Sequence, residues 1–213
     1  MNRLLACCLT VAALTTAARA ADVGLPVFPA DLKGQNAWEL SYQNLQRDLD
    51  NGGTLEADTY LLRLHTDLGQ TAFLDIDLGA IDADGAAFYG GVGLRYLAYS
   101  GPSFRLSPFA QLHYGAGIEG DEDTGDFDLL QGDLGLLVAG RIPLADGLEL
   151  EPYAGPMLSI VRVDADAGDA DEDSLVGAVA GLALVMPDRN SVRIEAQFFD
   201  EVSISAGFSI VFQ

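Results

Sequence analysis

From Trp38 to Phe212, apolar residues recur at every second position, and the alternation restarts after each cluster of Gly, Asp, Pro or Ser. A period of two places the apolar side chains on one face of a β-strand, whereas a helix would need a period of 3.6. In the run from Ala72 to Gly79, the even-numbered residues are apolar and the odd-numbered ones include Asp75 and Asp77. The chain is therefore predicted to be all-β and built from amphipathic strands.

Ten such runs can be counted, at about 38–48, 57–66, 72–79, 87–99, 105–116, 128–142, 148–162, 175–186, 192–199 and 202–212. Most reach the roughly 9 to 11 residues that a tilted strand needs to cross a bilayer's hydrocarbon core. Connections after every second run are short turns, and the intervening ones are mostly longer and acidic. This asymmetry predicts a transmembrane antiparallel up-and-down β-barrel, with the short turns and both termini on the periplasmic side.

Three features of the sequence leave the number of strands open. The first run is irregular, because its phase slips after Asn44. The final hairpin is tight, with only Asp200-Glu201 as its connection. Pro156 lies well inside the seventh run, where a residue without an amide donor predicts a bulge. Eight or twelve strands therefore stay open as alternatives to ten.

The first twenty residues predict a secretory signal peptide. Asn2 and Arg3 form a polar, charged start, a mostly apolar run follows to Leu14, and Ala18-Arg19-Ala20 is a small-x-small cleavage site. We expect residues 1–20 to be the signal peptide, 21–36 a periplasmic tail and 37–213 the barrel domain. Both cysteines lie in the leader, so the mature chain is expected to hold neither disulfides nor thiolate metal sites.

The formal net charge is −21, and loss of the leader removes two further arginines. Nucleic acid is therefore an unfavourable partner. Mean hydropathy is nevertheless positive, at +0.21. Charge and apolar residues must thus be segregated, as they are in a strand with one lipid-facing side.

Three passages carry a resemblance to a known group of proteins. Two are the similar segments Leu106–Ala110 and Leu150–Gly155, each with a Pro-aromatic-small sequence. The third is the C-terminal segment, in which Ser205, Gly207, Ile210 and Phe212 fit the signal read by barrel-assembly machinery, although the chain ends one residue later in Gln213. The chain resembles the small outer-membrane barrel proteins of Gram-negative bacteria.

The resemblance implies a location in the outer membrane after cleavage near Ala20. It also implies contact with outer-membrane lipid and lipopolysaccharide, and with the barrel-assembly machinery during biogenesis. It implies no particular oligomeric state.

Charged residues on the polar strand faces cluster towards the short-turn side. They are Arg63, Asp75, Arg95, Arg105, Arg141, Glu149, Glu151, Arg193 and Glu195. An isolated buried charge is costly and is normally paired, so in a narrow barrel these side chains should meet across the lumen. Ten strands leave little interior space, which predicts a plugged or very narrow lumen. A gated ion path through the same charges is the alternative.

Asp75, Asp77 and His113, with His65, form the catalytic-looking set, which an omptin-like barrel protease would place at its outer rim. The predicted positions fit poorly, because His65 falls near the periplasmic end and His113 is two strands, about 10 Å, from Asp77. A lipid-acting hydrolase using Ser107 and His113 is a second enzymatic alternative. Interior hydrogen bonding is the preferred interpretation, and no enzyme activity or cofactor is expected.

A soluble periplasmic lipocalin-like barrel is the remaining alternative, and it would need apolar residues inside and charges outside.

Residues 119–126 and 164–173 are acidic loops. The second begins like a calcium loop but has Gly168 at a ligand position and lacks the closing glutamate, so no metal site is predicted. Loose bridging of these loops to lipopolysaccharide by Mg²⁺ or Ca²⁺ is a further hypothesis.

The aromatic residues mostly fall near the ends of the runs, as interfacial belts would require. They are Trp38, Tyr60, Phe88, Tyr96, Tyr99, Phe104, Phe198 and Phe212.

Overall fold

The structure is a computed structural model that describes residues 35–48, 54–69, 71–82, 85–118, 126–165, 170–171, 175–199 and 202–212. Ten long strands make up most of this part of the chain. They are β1 (Asn36–Asp48), β2 (Thr54–Gly69), β3 (Ala72–Asp82), β4 (Ala86–Tyr96), β5 (Phe104–Ile118), β6 (Phe127–Gly140), β7 (Glu149–Ala165), β8 (Val176–Val185), β9 (Ser191–Phe198) and β10 (Val202–Phe212). Two-residue strands at Tyr99–Ser100, Ile142–Pro143 and Ala170–Asp171, and a 3₁₀ turn at Ala145–Gly147, complete the elements.

Each long strand pairs antiparallel with the next along the chain. The last strand then pairs with the first, from Asn36 opposite Phe212 to Gln43 opposite Ser205. The sheet is thus closed and leaves no long strand with an unpaired edge. The predicted antiparallel up-and-down barrel is confirmed, with ten strands rather than eight or twelve. No helix in the described residues is long and apolar enough to span a membrane.

Buried and exposed side chains alternate along the strands, with polar residues inside and large apolar residues outside, the reverse of a soluble protein. On β3, Asp75 and Asp77 are buried, whereas the outward Leu78 is 56% exposed. Large apolar side chains elsewhere also point outward, among them Leu40 at 65% and Leu134 at 55% exposure. This arrangement is the reverse of what the lipocalin-like alternative requires. It is the arrangement of the outer-membrane barrels that the sequence resembles.

Aromatic side chains cluster on the outer surface at two levels. Trp38 stacks on Phe212 with ring centroids 6.2 Å apart near the short turns. Tyr42 and Tyr60 meet at 5.3 Å towards the other end of their strands. On β5, ten residues separate Phe104 from Tyr114, or about 25 Å along the membrane normal for a strand tilted by roughly 40°. Such a spacing matches the apolar band of a membrane barrel.

Pro156 lies on the outer face of β7. The ladder between β6 and β7 passes from Gly135 opposite Met157 to Val138 opposite Ala154, so both strands advance by the same number of residues. On the other side, Pro156 pairs in register with Ala178 of β8. The predicted bulge is therefore wrong. Proline lacks an amide donor, and its effect is a gap in one ladder without an extra residue.

The first strand is continuous, and its pairing with β2 runs without a shift to Asp48 opposite Thr54. The predicted signal peptide, most of the tail, most of both acidic loops and the Asp200-Glu201 connection lie outside the described residues.

Candidate functional site

The lumen contains a set of buried ion pairs on the short-turn side. Arg63 of β2 lies directly opposite Asp77 of β3. The guanidinium donates from Nε to Oδ1 at 2.6 Å and from Nη2 to Oδ2 at 2.7 Å. Both residues are 1% exposed. This two-point geometry satisfies both carboxylate oxygens and fixes the orientation of both side chains.

His65 links the first three strands. Its Nδ1 lies 2.6 Å from Oδ1 of Asp75, the residue opposite it on β3. Its Nε2 lies 3.5 Å from Oε2 of Glu39 on β1. Arg95 of β4 approaches the same Asp75 oxygen with Nη2 at 3.4 Å, and its guanidinium carbon lies 5.7 Å from the centre of the Phe73 ring. A single imidazole thus connects carboxylates of β1 and β3.

His113 reaches Asp77 across an entire strand. Its Nε2 is 2.6 Å from Oδ2 of Asp77, although β4 lies between them. Gly91 of β4 is the residue opposite both side chains. A Cβ built there would lie 2.2 Å from Cδ2 of His113, so the ring occupies the space where a side chain would otherwise lie. The two residues do lie two strands apart, as expected, but the inference that this spacing of about 10 Å keeps the two groups apart is wrong, because the imidazole ring reaches across Gly91.

The same crossing occurs three more times around the barrel. Arg105 of β5 lies opposite Ala139 of β6 and donates from Nη2 to Glu151 of β7 at 2.5 Å. Each crossing thus joins one odd-numbered strand to the next odd-numbered strand.

The other two crossings pass over glycine. Tyr153 of β7 passes Gly181 of β8, and its hydroxyl donates to Oε2 of Glu195 on β9 at 2.7 Å. Arg193 of β9 passes Gly207 of β10 and forms hydrogen bonds to both carboxylate oxygens of Glu39 on β1.

These bridges connect the odd-numbered strands in sequence around the barrel, at different levels along its axis, and we call their residues the lumen ring. It consists of Glu39, His65, Asp75, Asp77, His113, Arg105, Glu151, Tyr153, Glu195 and Arg193. His65 makes the link from β1 to β3, and the four crossings continue through β5, β7 and β9 back to β1. Every odd-numbered strand is therefore held to its next odd-numbered neighbour by side chains as well as through the backbone ladders.

An apolar cluster lies on the other side of the ring, towards the acidic loops. We call it the apolar plug. Its members are all 5% exposed or less: Ala57, Leu61, Ile81, Tyr89, Ile118, Phe127, Leu129, Val161 and Val163. A smaller cluster of Ala37, Phe73 and Leu97 lies towards the short turns. Each of the ten strands contributes at least one lumen-facing side chain that is less than a tenth exposed. The two clusters thus lie at opposite ends of the lumen, and Glu151 of the ring also contacts Arg141 at the mouth, with Oε1 3.7 Å from Arg141 Nε.

Seven of the nine charged residues proposed from sequence for the lumen are buried there, at 6% exposure or less: Arg63, Asp75, Arg95, Arg105, Glu151, Arg193 and Glu195. The other two lie at the mouth. Arg141 Nε is 3.2 Å from Oε2 of Glu149, and both side chains are about one-third exposed. Arg141 lies outside the lumen because β6 ends at Gly140, so that Arg141 follows the strand.

Sequence reasoning missed Glu39 and Tyr153. Glu39 shares a strand face with Ser41 and Gln43, and all three are buried. The alternation of these polar residues is the sequence signal for an inward Glu39, but it lies in the first run, whose phase slips after Asn44. Tyr153 was assigned to the Pro-aromatic-small pattern, although it lies on the same face as Glu151.

The catalytic-looking set lies deep in the lumen, below the apolar plug. Asp77 has its oxygens engaged by Arg63 and His113, and Asp75 contacts His65 and Arg95. An omptin-like site would instead lie at the outer rim. Ser107 and His113 are six residues apart on one extended strand, about 20 Å, so the proposed lipid-hydrolase pair is not brought together. The described residues include no group of three or more His, Cys, Asp or Glu that could hold a metal ion.

The four residues of the proposed assembly signal lie on β10. Ser205 and Gly207 face the lumen, whereas Ile210 and Phe212 face outward at 50% and 37% exposure. The contact of Phe212 with Trp38 joins the last strand to the first at the outer surface.

No family model matches the chain, and no curated protein matches it. Solved structures similar to it include the beta domain of the Bordetella autotransporter BrkA, at 15% identity and TM-score 0.42, covering 84% of this chain and 99% of that one. An outer membrane channel from Pseudomonas putida F1 is 13% identical with TM-score 0.43, over 88% and 100% of the two chains. The Yersinia pestis attachment invasion locus protein Ail is 12% identical with TM-score 0.37, over 84% and 99%. The closed fold itself follows from the strand pairing of the chain.

Proposed function

We propose that the chain is an integral outer-membrane protein of a Gram-negative bacterium with a closed lumen, and that it acts through its surface, in a structural or interaction role. The lumen ring beneath the apolar plug is the observation that carries this proposal. Ion pairs lining an open pore would be hydrated and exposed, whereas Arg63, Asp77, Glu39 and Arg193 are each 1% exposed. Water and ions of similar size have no room beside them.

The outer-membrane location is supported by the outer surface. Only a closed barrel or a helix can satisfy its backbone hydrogen bonds in lipid, and this barrel closes. On β5, the outward residues from Phe104 to Tyr114 carry no charge. We propose lipid and lipopolysaccharide as the partners of this surface, and the barrel-assembly machinery as the partner of β10 during biogenesis.

The acidic end of the barrel is the surface we propose for interaction. β7 has 17 residues, or roughly 40 Å along the membrane normal, so it extends beyond an apolar band of about 25 Å. On the outer face at this end, Tyr42 donates to Asp58 at 2.8 Å and Tyr114 to Asp128 at 2.5 Å. These contacts order polar side chains just above the apolar band.

Planar-bilayer recording tests the closed lumen against the narrow-channel alternative. The full mature chain would be refolded, and folding of the same sample checked by its heat-modifiable gel migration. We expect a silent bilayer at protein concentrations where a porin-like barrel gives steps. Reproducible single-channel steps from folded protein would contradict closure and support the narrow channel.

Cell fractionation tests the location. We expect the protein in the outer-membrane fraction, with a gel shift on heating. Release with the soluble periplasm would contradict the proposal.

The hydrolase alternative predicts cleavage of peptide or lipid substrates that is lost in Asp77→Ala and His113→Ala, whereas we expect no such cleavage by the wild-type protein.

A further inference from the structure

The positions beneath the crossing side chains differ in what a larger residue would meet there. At Gly181, the three nearest atoms to a built Cβ all belong to the Tyr153 ring and its hydroxyl, at 2.3, 2.4 and 2.7 Å. At Gly207, all three belong to the Arg193 guanidinium group, at 2.9 to 3.1 Å. Real Cβ atoms do not approach other atoms as closely as the contacts at Gly181, so alanine there must displace the Tyr153 ring, whereas at Gly207 the Arg193 guanidinium group has to shift by only a few tenths of an ångström.

Gly91 is a less selective position. A Cβ there would meet the His113 ring at 2.2 Å, but also the backbone oxygen of Leu112 at 2.3 Å. Alanine would therefore disturb the strand as well as the bridge. Gly93, two residues further along the same lumen face, has its nearest contacts at 3.4 Å, an ordinary van der Waals distance. It supplies a matched control for the addition of one methyl group to a lumen glycine.

From this geometry we propose that Gly181 and Gly207 are the positions that keep the lumen closed, because their missing side chains let Tyr153 and Arg193 cross to carboxylates two strands away. The proposal rests on the closed lumen proposed above and assigns that closure to particular residues. The glycines act by positioning. They touch neither ligand nor ion, and their effect passes through the side chain that lies over them.

The consequence of displacement follows from the charges involved. If Arg193 is pushed aside, its hydrogen bonds to both oxygens of Glu39 weaken, and Glu39 keeps the 3.5 Å approach of His65. If Tyr153 cannot cross, Oε2 of Glu195 loses the hydroxyl donor, while Gln197 still donates to Oε1 at 2.9 Å. A buried carboxylate oxygen that loses its donor draws in water, because leaving it unsolvated is costly. Water entering the ring begins an ion path.

The test compares Gly181→Ala, Gly207→Ala and Gly93→Ala with the wild-type mature chain, each refolded and recorded in planar bilayers. We expect silence from the wild type and from Gly93→Ala, and brief openings from the other two. We also expect Gly181→Ala to lower the temperature of the heat-modifiable gel transition by about 10 °C, Gly207→Ala to lower it by a smaller amount, and Gly93→Ala to leave it within about 2 °C.

A double-mutant cycle separates positioning from a general effect on the strand. Tyr153→Ala removes the ring, so adding Gly181→Ala in that background should cause little further change in transition temperature or conductance. An equal effect of Gly181→Ala with and without the Tyr153 ring would overturn the inference. If Gly207→Ala does not refold, the double-mutant cycle of Tyr153→Ala and Gly181→Ala still tests the inference.

The outcomes also separate this inference from the proposed function. Conductance by the wild type would overturn the closed lumen itself. A silent wild type together with silent Gly181→Ala and Gly207→Ala would leave the closed lumen standing and refute the role of the two glycines. Openings in Gly93→Ala of equal frequency would also refute it, since any added methyl group would then suffice.

Discussion

Replacing Asp77 with asparagine tests whether the lumen is a dry, paired interior. The substitution Asp77→Asn keeps the shape of the side chain and removes its charge. Arg63 would then be a buried cation facing a neutral amide, with hydrogen bonds at 2.6 and 2.7 Å weakened, and His113 would lose a carboxylate at 2.6 Å. Removing one member of a buried ion pair is more harmful than the net worth of the pair, because the remaining charge stays desolvated.

The expected loss is about 3–5 kcal/mol in the free energy of unfolding, the usual cost of breaking a buried pair. For a chain of this size, each kcal/mol corresponds to a shift of roughly 2–4 °C in unfolding temperature. Urea titration of protein folded in lipid vesicles, followed by the fluorescence of Trp38, measures the free energy. The heat-modifiable gel transition measures the temperature.

Glu149→Gln supplies the control. It removes a carboxylate from the Arg141 pair at the mouth, where both side chains are about one-third exposed, so the expected loss is within about 1 kcal/mol. Equal losses for the two variants would show that water reaches Asp77 as freely as it reaches Glu149, which would refute the dry interior. The double variant Arg63→Gln with Asp77→Asn should recover part of the stability lost by Asp77→Asn alone, since the buried guanidinium that faced the Asp77 carboxylate is then removed as well.

Three further predictions concern the outer surface and the loops. Leu134→Arg places a charge on the lipid-facing side of β6 and should cost about 2–4 kcal/mol in vesicles, measured by urea titration, with Leu134→Ala as the control for lost side-chain volume. Phe212→Ala removes the ring that stacks on Trp38 and should slow folding into vesicles, measured by the rate at which the heat-modifiable band appears; an unchanged rate would exclude a role for this contact in closing the barrel. Calcium titrated into the refolded protein should give neither binding heat nor a stability change, and a clear change in either would support divalent binding at the acidic loops.

The fold was largely predictable from the sequence because apolar and polar residues alternate along each strand of the barrel. On β3, the apolar and polar faces separate residue by residue, and Asp75 and Asp77 face inward as the pattern requires. A bilayer outside and a narrow lumen inside impose opposite demands on adjacent residues, so the strands can be located by pattern alone. The bulge predicted at Pro156 is wrong because a missing amide donor does not require an extra residue. The ladder between β6 and β7 continues in register past the missing hydrogen bond.

The contacts within the lumen were predictable only as a group. Charge on the inward faces indicates that pairing must occur, but it does not choose partners. Arg63 and Asp77 lie opposite each other on adjacent strands, so their pairing follows from the hairpin register. Asp77 and His113 lie on strands that share no ladder, so no hairpin register pairs them.

A glycine between two inward polar residues leaves room for one of them to cross to the other. Two successive hairpin registers place Asp77, Gly91 and His113 on one line across β3, β4 and β5. The same holds for Tyr153, Gly181 and Glu195 across β7, β8 and β9. A long polar side chain beside an inward glycine is free to lie across it, and the next strand then presents its partner. On these two lines a side chain crosses the glycine to its partner, whereas Gly93, which lies between Asp75 and Gln111 in the same way, has its nearest contacts at an ordinary 3.4 Å, so an inward glycine alone does not select the partners.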